Sequence, residues 1–209
     1  RLALEIANQM FGGSGFNSIL MQELRVKRGY TYGAYSTFSF RQVPGTFSFS
    51  YSTRQDQLLS SVQVAHQALI DFVTQPIDLN QLAETKAGML RAFPNNYSSN
   101  ANINAQLGAM GFYHQAADYL SQYPKLLEKI NAQDVQNAIQ KHLHPERLTL
   151  IVVNDQLDKT ALETRLKQNL NPQAAQPLPT ENLPKILNPP EKEVIDLPVS
   201  FPTDAPEAI

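Results

Sequence analysis

Cysteine is absent from all 209 residues, which excludes a disulfide framework, thiolate-bound zinc, iron–sulfur ligation and a cysteine nucleophile. The compartment stays open, because disulfide-free proteins occur on both sides of membranes. A positive surplus is missing too. Lys plus Arg number 17 against 19 Asp plus Glu, a net charge of −2, so no basic field gathers phosphates and nucleic acid is not an expected partner. No apolar run approaches the roughly 18 residues of a membrane span; the strongest stretch is Leu148 to Val153. The chain opens at Arg1-Leu2-Ala3-Leu4 without an initiator methionine or the long apolar centre of a signal peptide, and it reads as a fragment of something longer. What is present, 42% hydrophobic residues over this length, suits one large domain or two small ones with an ordinary core.

Proline and glycine are distributed unevenly. Nine of fourteen prolines lie at or after Pro172, so residues 172–209 are expected to be an extended Pro-rich tail behind a domain at 1–171. Five of nine glycines fall in the first 33 residues, which concentrates tight backbone geometry there. Leu2, Ile6 and Met10 recur at helical spacing until Gly12-Gly13-Ser14-Gly15 breaks the pattern. Phe16, Ile19, Leu20 and Leu24 mark a second helix, stopped by Gly29. Tyr30 to Phe40 and Thr46 to Thr53 alternate aromatic with Ser/Thr residues around Gln42-Val43-Pro44-Gly45, which predicts an antiparallel hairpin with one face on helices. Period-3.6 patterns then predict helices at about 58–73, 78–93, 101–113, 117–130 and 132–143, the last opened by Asn131 as N-cap. Arg147 to Val153 reads as a buried strand, and 156–168 as a final helix. This order predicts an α+β fold with a mainly antiparallel sheet and several helices packed on it.

Chemistry is sparse in this pattern. The histidines, His66, His114, His142 and His144, stand in no metal-binding spacing with acids, so no metal ligand is assigned. His142 and His144 come nearest, and their place before Pro145 at a helix end suits surface or capping chemistry better. The glycine run lacks a following Gly-Lys-Ser/Thr, and no strand precedes it, which argues against nucleotide binding. No G-x-S-x-G elbow appears, and no catalytic residue is assigned. The remaining candidate is the glycine-bounded stretch, where a helix end, several cations and several tyrosines crowd into a few residues.

That stretch, Gly12-Gly13-Ser14-Gly15-Phe16-Asn17-Ser18-Ile19-Leu20-Met21-Gln22-Glu23-Leu24-Arg25-Val26-Lys27-Arg28-Gly29-Tyr30-Thr31-Tyr32-Gly33-Ala34-Tyr35-Ser36, resembles the M16 zinc metallopeptidases, the pitrilysin and mitochondrial processing peptidase-like family. The element order through Gln168 agrees with it. The resemblance implies a LuxS/MPP-like metallohydrolase fold whose N-terminal strands are missing, since family halves begin with strands ahead of the first helix. Relatives carry the inverted zinc motif His-x-x-Glu-His in one half only; this chain lacks it and so looks like the C-terminal, non-catalytic half. The resemblance further implies substrate-binding roles for an arginine closing the motif helix and a tyrosine seven residues on, here Arg25 and Tyr32. Arginine offers several fixed donors to peptide carbonyls, and a tyrosine hydroxyl can donate to a developing oxyanion. The plainer reading stays open: Arg25 as a cation at the helix terminus, Tyr32 as one more aromatic in a half-buried strand. Ser14 in the glycine run and Ile19, where many relatives have arginine, depart from the family without touching either residue.

The expected function is therefore the non-catalytic half of a zinc metalloendopeptidase, closing a chamber and positioning an unfolded peptide for hydrolysis by a zinc-bearing half. The implied partners are an HxxEH-bearing domain or subunit that holds the zinc, the unfolded peptide, and a second copy through an exposed sheet edge. The rival is a catalytically silent scaffold or interaction subunit; a weaker third is a module that captures extended peptides without cleaving them. No residue pattern fixes a compartment, and only the resemblance suggests a bacterial periplasm or envelope.

Overall fold

A computed structural model describes residues 1–13, 15–41 and 45–153, together with Thr160 and Thr164. Among the described residues six α-helices dominate: α1 (Leu2–Asn8), α2 (Leu58–Thr74), α3 (Leu79–Ala92), α4 (Asn100–Phe112), α5 (Tyr119–Lys129) and α6 (Ala132–His142). Two strands, β1 (Ala34–Phe38) and β2 (Phe47–Tyr51), pair antiparallel with Ala34 opposite Tyr51 and Phe38 opposite Phe47. Two π-helical segments, Gln9–Gly13 and Met21–Val26, flank the glycine run.

The hairpin obeys its alternation. Ala34, Ser36 and Phe38 turn inward with Phe47, Phe49 and Tyr51, while Thr37, Ser48 and Ser50 face out. Phe11 is the hub of this interface, its ring 5.2 Å from Phe72 and 5.8 Å from both Phe47 and Phe49. Around it lie Ile6, Met10, Leu20, Leu24 and Leu69, all essentially inaccessible to water. The motif helix thus buries one stripe in the core, and that burial fixes which residues remain outside.

The predicted α+β fold with a mainly antiparallel sheet is not what forms. Among the described residues the sheet has two strands, it does not close, and helices carry the architecture. Leu148 to Val153 has strand composition but is unpaired, with Ile151 81% and Val153 93% exposed. A groove of about 890 Å³ lies between this segment, β2 and α2. Strand propensity reports how well a side chain suits a pleated, half-buried surface; it does not supply a neighbouring backbone, and among the described residues none hydrogen-bonds to this segment as a strand. The helix expected at 156–168 lies outside the described residues except for Thr160 and Thr164, as do the Gln42 to Pro44 part of the hairpin turn and the tail at 172–209. No described helix is long and apolar enough to cross a membrane.

Candidate functional site

The motif helix is assembled from short pieces. A 3-10 turn at Gly15–Asn17 leads into it, and Ser18 donates from both its backbone N–H (3.1 Å) and its hydroxyl (2.7 Å) to the Gly15 carbonyl. Met21 and Leu24 are buried, and the Met21–Val26 backbone widens to π geometry, with Lys27 N–H reaching back five residues to Gln22 O at 3.0 Å. Gly29 then closes the element in a left-handed conformation, φ +64°, that a residue with a Cβ adopts only under strain. The widened turn was not anticipated from the sequence. An i→i−5 bond is set by how the segment packs on α2 and β1, and no local residue pattern announces it.

Of the three cations at the helix end, two share one carboxylate. Lys27 and Arg28 both pair with Glu23. Burial alone would raise the Glu23 carboxyl, but hydrogen bonds from these two cations outweigh it and hold the group below its ordinary range. Arg25 pairs with no carboxylate among the described residues. Its Nη1 donates to the Tyr32 carbonyl at 2.7 Å, and its guanidinium lies over the Phe16 ring, 4.4 Å from the centroid. The two residues singled out in the sequence are therefore in direct contact, through a main-chain carbonyl.

Tyr32 is not in the strand expected to begin at Tyr30. It occupies a bend ahead of β1, and the residue is 92% exposed. The bend itself is held at every residue. Thr53 Oγ1 donates to the Tyr30 carbonyl (2.8 Å), Thr31 Oγ1 donates to the Gly33 carbonyl (2.8 Å) and accepts from Gly33 N–H (3.1 Å), and Ala34 N–H approaches Met21 Sδ at 3.2 Å. Arg25 completes the set. The backbone is tied by hydrogen bonds, while the exposed phenol makes none among the described residues. Phe16, counted among the helix's apolar residues in the sequence reading, is instead 58% exposed beside Arg25. No spacing rule could have placed it there, because the left-handed Gly15 (φ +73°) turns it out of the helical register.

Among the described residues no three His, Cys, Asp or Glu side chains converge on a point where a metal ion could sit. His66, His142 and His144 border the groove beside β2 without forming such a set, and burial holds the His142 imidazole below its usual range. The described residues therefore offer zinc no ligand set.

Residues 1–89 match the family described as the peptidase M16 inactive domain. The chain is also similar to the crystal structure of a peptidase M16 inactive domain from Pseudomonas fluorescens, at 32% identity and TM-score 0.64, over 69% of this chain and 34% of that one. This chain belongs to the M16 peptidases and is their inactive, C-terminal domain. Likeness of fold alone extends to a protease from Helicobacter pylori (17% identity, TM-score 0.55, 67% of this chain and 33% of that one). It extends likewise to the periplasmic protease PqqL from Escherichia coli (16% identity, TM-score 0.56, 68% of this chain and 16% of that one). The chain thus spans about a third or less of the length of these structures. No curated protein matches the sequence.

Proposed function

We propose that this domain forms the non-catalytic wall of an M16 peptidase chamber, where Arg25 and Tyr32 grip an extended, unfolded peptide for hydrolysis by a zinc-bearing domain. The observation that carries this reading is the way Tyr32 is presented: its backbone is hydrogen-bonded by Arg25 and flanked by the Thr31–Gly33 bonds, while the residue is 92% exposed. A large aromatic held in the open gains little from burial, so its fixed placement is more economically explained by contact with something that arrives. Arg25 spends one of its five N–H donors on the Tyr32 carbonyl, leaving others for peptide carbonyls. The Tyr32 hydroxyl supplies a neutral donor for charge developing on the scissile carbonyl oxygen. Zinc, carried by the other domain, would supply the activated water; nothing in this chain takes part in that step.

The test uses the full natural polypeptide containing this chain, with its zinc-bearing domain or subunit, acting on a quenched unfolded peptide. Tyr32→Phe removes one donor and should lower kcat on the order of 100-fold, the usual cost of losing an oxyanion donor, with zinc content unchanged. Arg25→Ala should lower kcat/KM by about tenfold or more, as expected when a charged donor is lost. Normal turnover in Tyr32→Phe would sink the assignment. A second reading, a catalytically silent scaffold subunit, draws on the outer edge of β2, unpaired among the described residues, and on the exposed Ile151 and Val153 across the groove from it, surfaces suited to another polypeptide. Absence of chelator-sensitive cleavage in a folded, zinc-replete complex would favour it.

A further inference from the structure

Phe16 has no use in the core. More than half of its surface is exposed, and its ring carries the Arg25 guanidinium on one face, 4.4 Å from the centroid. Yet its position is built with care. The left-handed Gly15 turns the chain, Ser18 locks the Gly15 carbonyl from two sides, and Gln22 Nε2 donates to the Phe16 carbonyl at 2.6 Å. A solvent-facing phenylalanine fixed this firmly exposes apolar surface for no folding benefit.

We infer that Phe16 is a positioning residue that sets the plane of the Arg25 guanidinium, and so the direction of the donors offered to the peptide. The inference rests on the reading of Arg25 proposed above. A guanidinium is flat and weakly hydrated on its faces, with its N–H groups in the plane, so an aromatic ring can cover one face without consuming a donor. One in-plane N–H bonds the Tyr32 carbonyl. A face contact and an edge contact together remove both tilt and rotation, which a single hydrogen bond at the end of a long side chain does not. Arg25 then meets the peptide with its orientation already fixed, and less side-chain freedom is lost on binding. Lys27 and Arg28, held by Glu23, have no such ring and keep to the helix surface.

The experiment measures kcat and KM for peptide cleavage by the complete polypeptide with its zinc-bearing domain, in five variants: Phe16→Ala, Phe16→Tyr, Phe16→Leu, Arg25→Ala and the double variant Phe16→Ala/Arg25→Ala. Phe16→Ala should lower kcat/KM about two- to fivefold, the range of an exposed cation–π contact, divided between kcat and KM as in Arg25→Ala. Phe16→Tyr should restore wild-type values. In the Arg25→Ala background Phe16→Ala should do nothing more, because the group it orients is gone. Phe16→Leu keeps apolar bulk without a π face and guards against misfolding: it should match the wild-type melting temperature yet cleave like Phe16→Ala. Equal losses from Phe16→Ala with and without Arg25, or full activity in Phe16→Leu, would overturn the positioning role while leaving Arg25 in place. Full activity in Arg25→Ala would instead remove the Arg25 reading, and this inference with it.

Discussion

Gly12 sits where the first helical segment meets β1, and a Cβ built there would lie 2.6 Å from Ser36 Oγ and 2.7 Å from the Ser36 backbone nitrogen. The contact is tight because Ser36 is drawn inward, its hydroxyl donating to Asn8 Oδ1 at 2.9 Å. Two effects of opposite sign compete in Gly12→Ala. Losing glycine from a helical turn gains about 1 kcal/mol through chain entropy and propensity. Forcing a methyl against a strand backbone costs about 1–3 kcal/mol, because the side chain cannot swing clear and the strand must move. The clash is with backbone as well as side chain, so we expect the loss to win, with a net destabilisation of about 1 kcal/mol or more visible as a lowered urea midpoint. A midpoint equal to or above wild type would show that β1 yields easily. Arg25 and Tyr32 also belong to this scale. Their spacing was visible in the sequence, but the bond that joins them runs to a carbonyl, an atom every residue owns, so the pattern of side chains could not foretell it.

The termini of the helices carry much of the local specificity. At α6 the Asn131 side chain accepts from Asp134 N–H at 3.0 Å and Asp134 accepts from Asn131 N–H at 2.9 Å, a reciprocal box. The helix it opens buries Val135 and Ile139 completely against α1 and α2, so fraying there would loosen the core. Asn131→Ala should cost about 1 kcal/mol, within the range for caps, measured by equilibrium denaturation. An unchanged stability would mean that packing alone holds the first turn. This cap was legible in the sequence, as were α2, α3 and the hairpin, because each depends on residues within a turn or two of one another. Arg147 to Val153, expected as a strand, fails to form one for the opposite reason. Its apolar, β-branched residues satisfy every local criterion of a strand, but a strand exists only through a partner backbone, which local sequence does not encode. The π widening at Met21–Val26 escaped for a related reason, being imposed by the core it packs on.

At the scale of the molecule, the tyrosines tie stability to alkaline pH. Tyr123 is half-buried, stacked on Phe93 with ring centroids 4.6 Å apart and planes 7° from parallel. Desolvation, followed by the nearby charges of Glu5 and Tyr119, pushes its hydroxyl up to about 12. Tyr51, Tyr97 and Tyr119 are raised as well, each chiefly by burial. A raised folded pKa means that the native state holds its proton more tightly than the unfolded chain, whose tyrosines titrate near 10. The resulting stability is therefore complete below pH 10 and is lost as pH rises through about 12, where the phenolate would have to form beside Glu5 against the Phe93 ring. Because Tyr123 lies in α5, stacks on the 3-10 turn at Phe93–Tyr97 and feels the charge of Glu5 in α1, its ionisation would strain several elements together. The melting temperature should be flat from pH 8 to about 10 and then fall, and Tyr123→Phe, which keeps the stacked ring but cannot ionise, should make that fall shallower. An identical slope in wild type and Tyr123→Phe would assign the alkaline transition to the other tyrosines or to general charge repulsion, and would remove Tyr123 from the account.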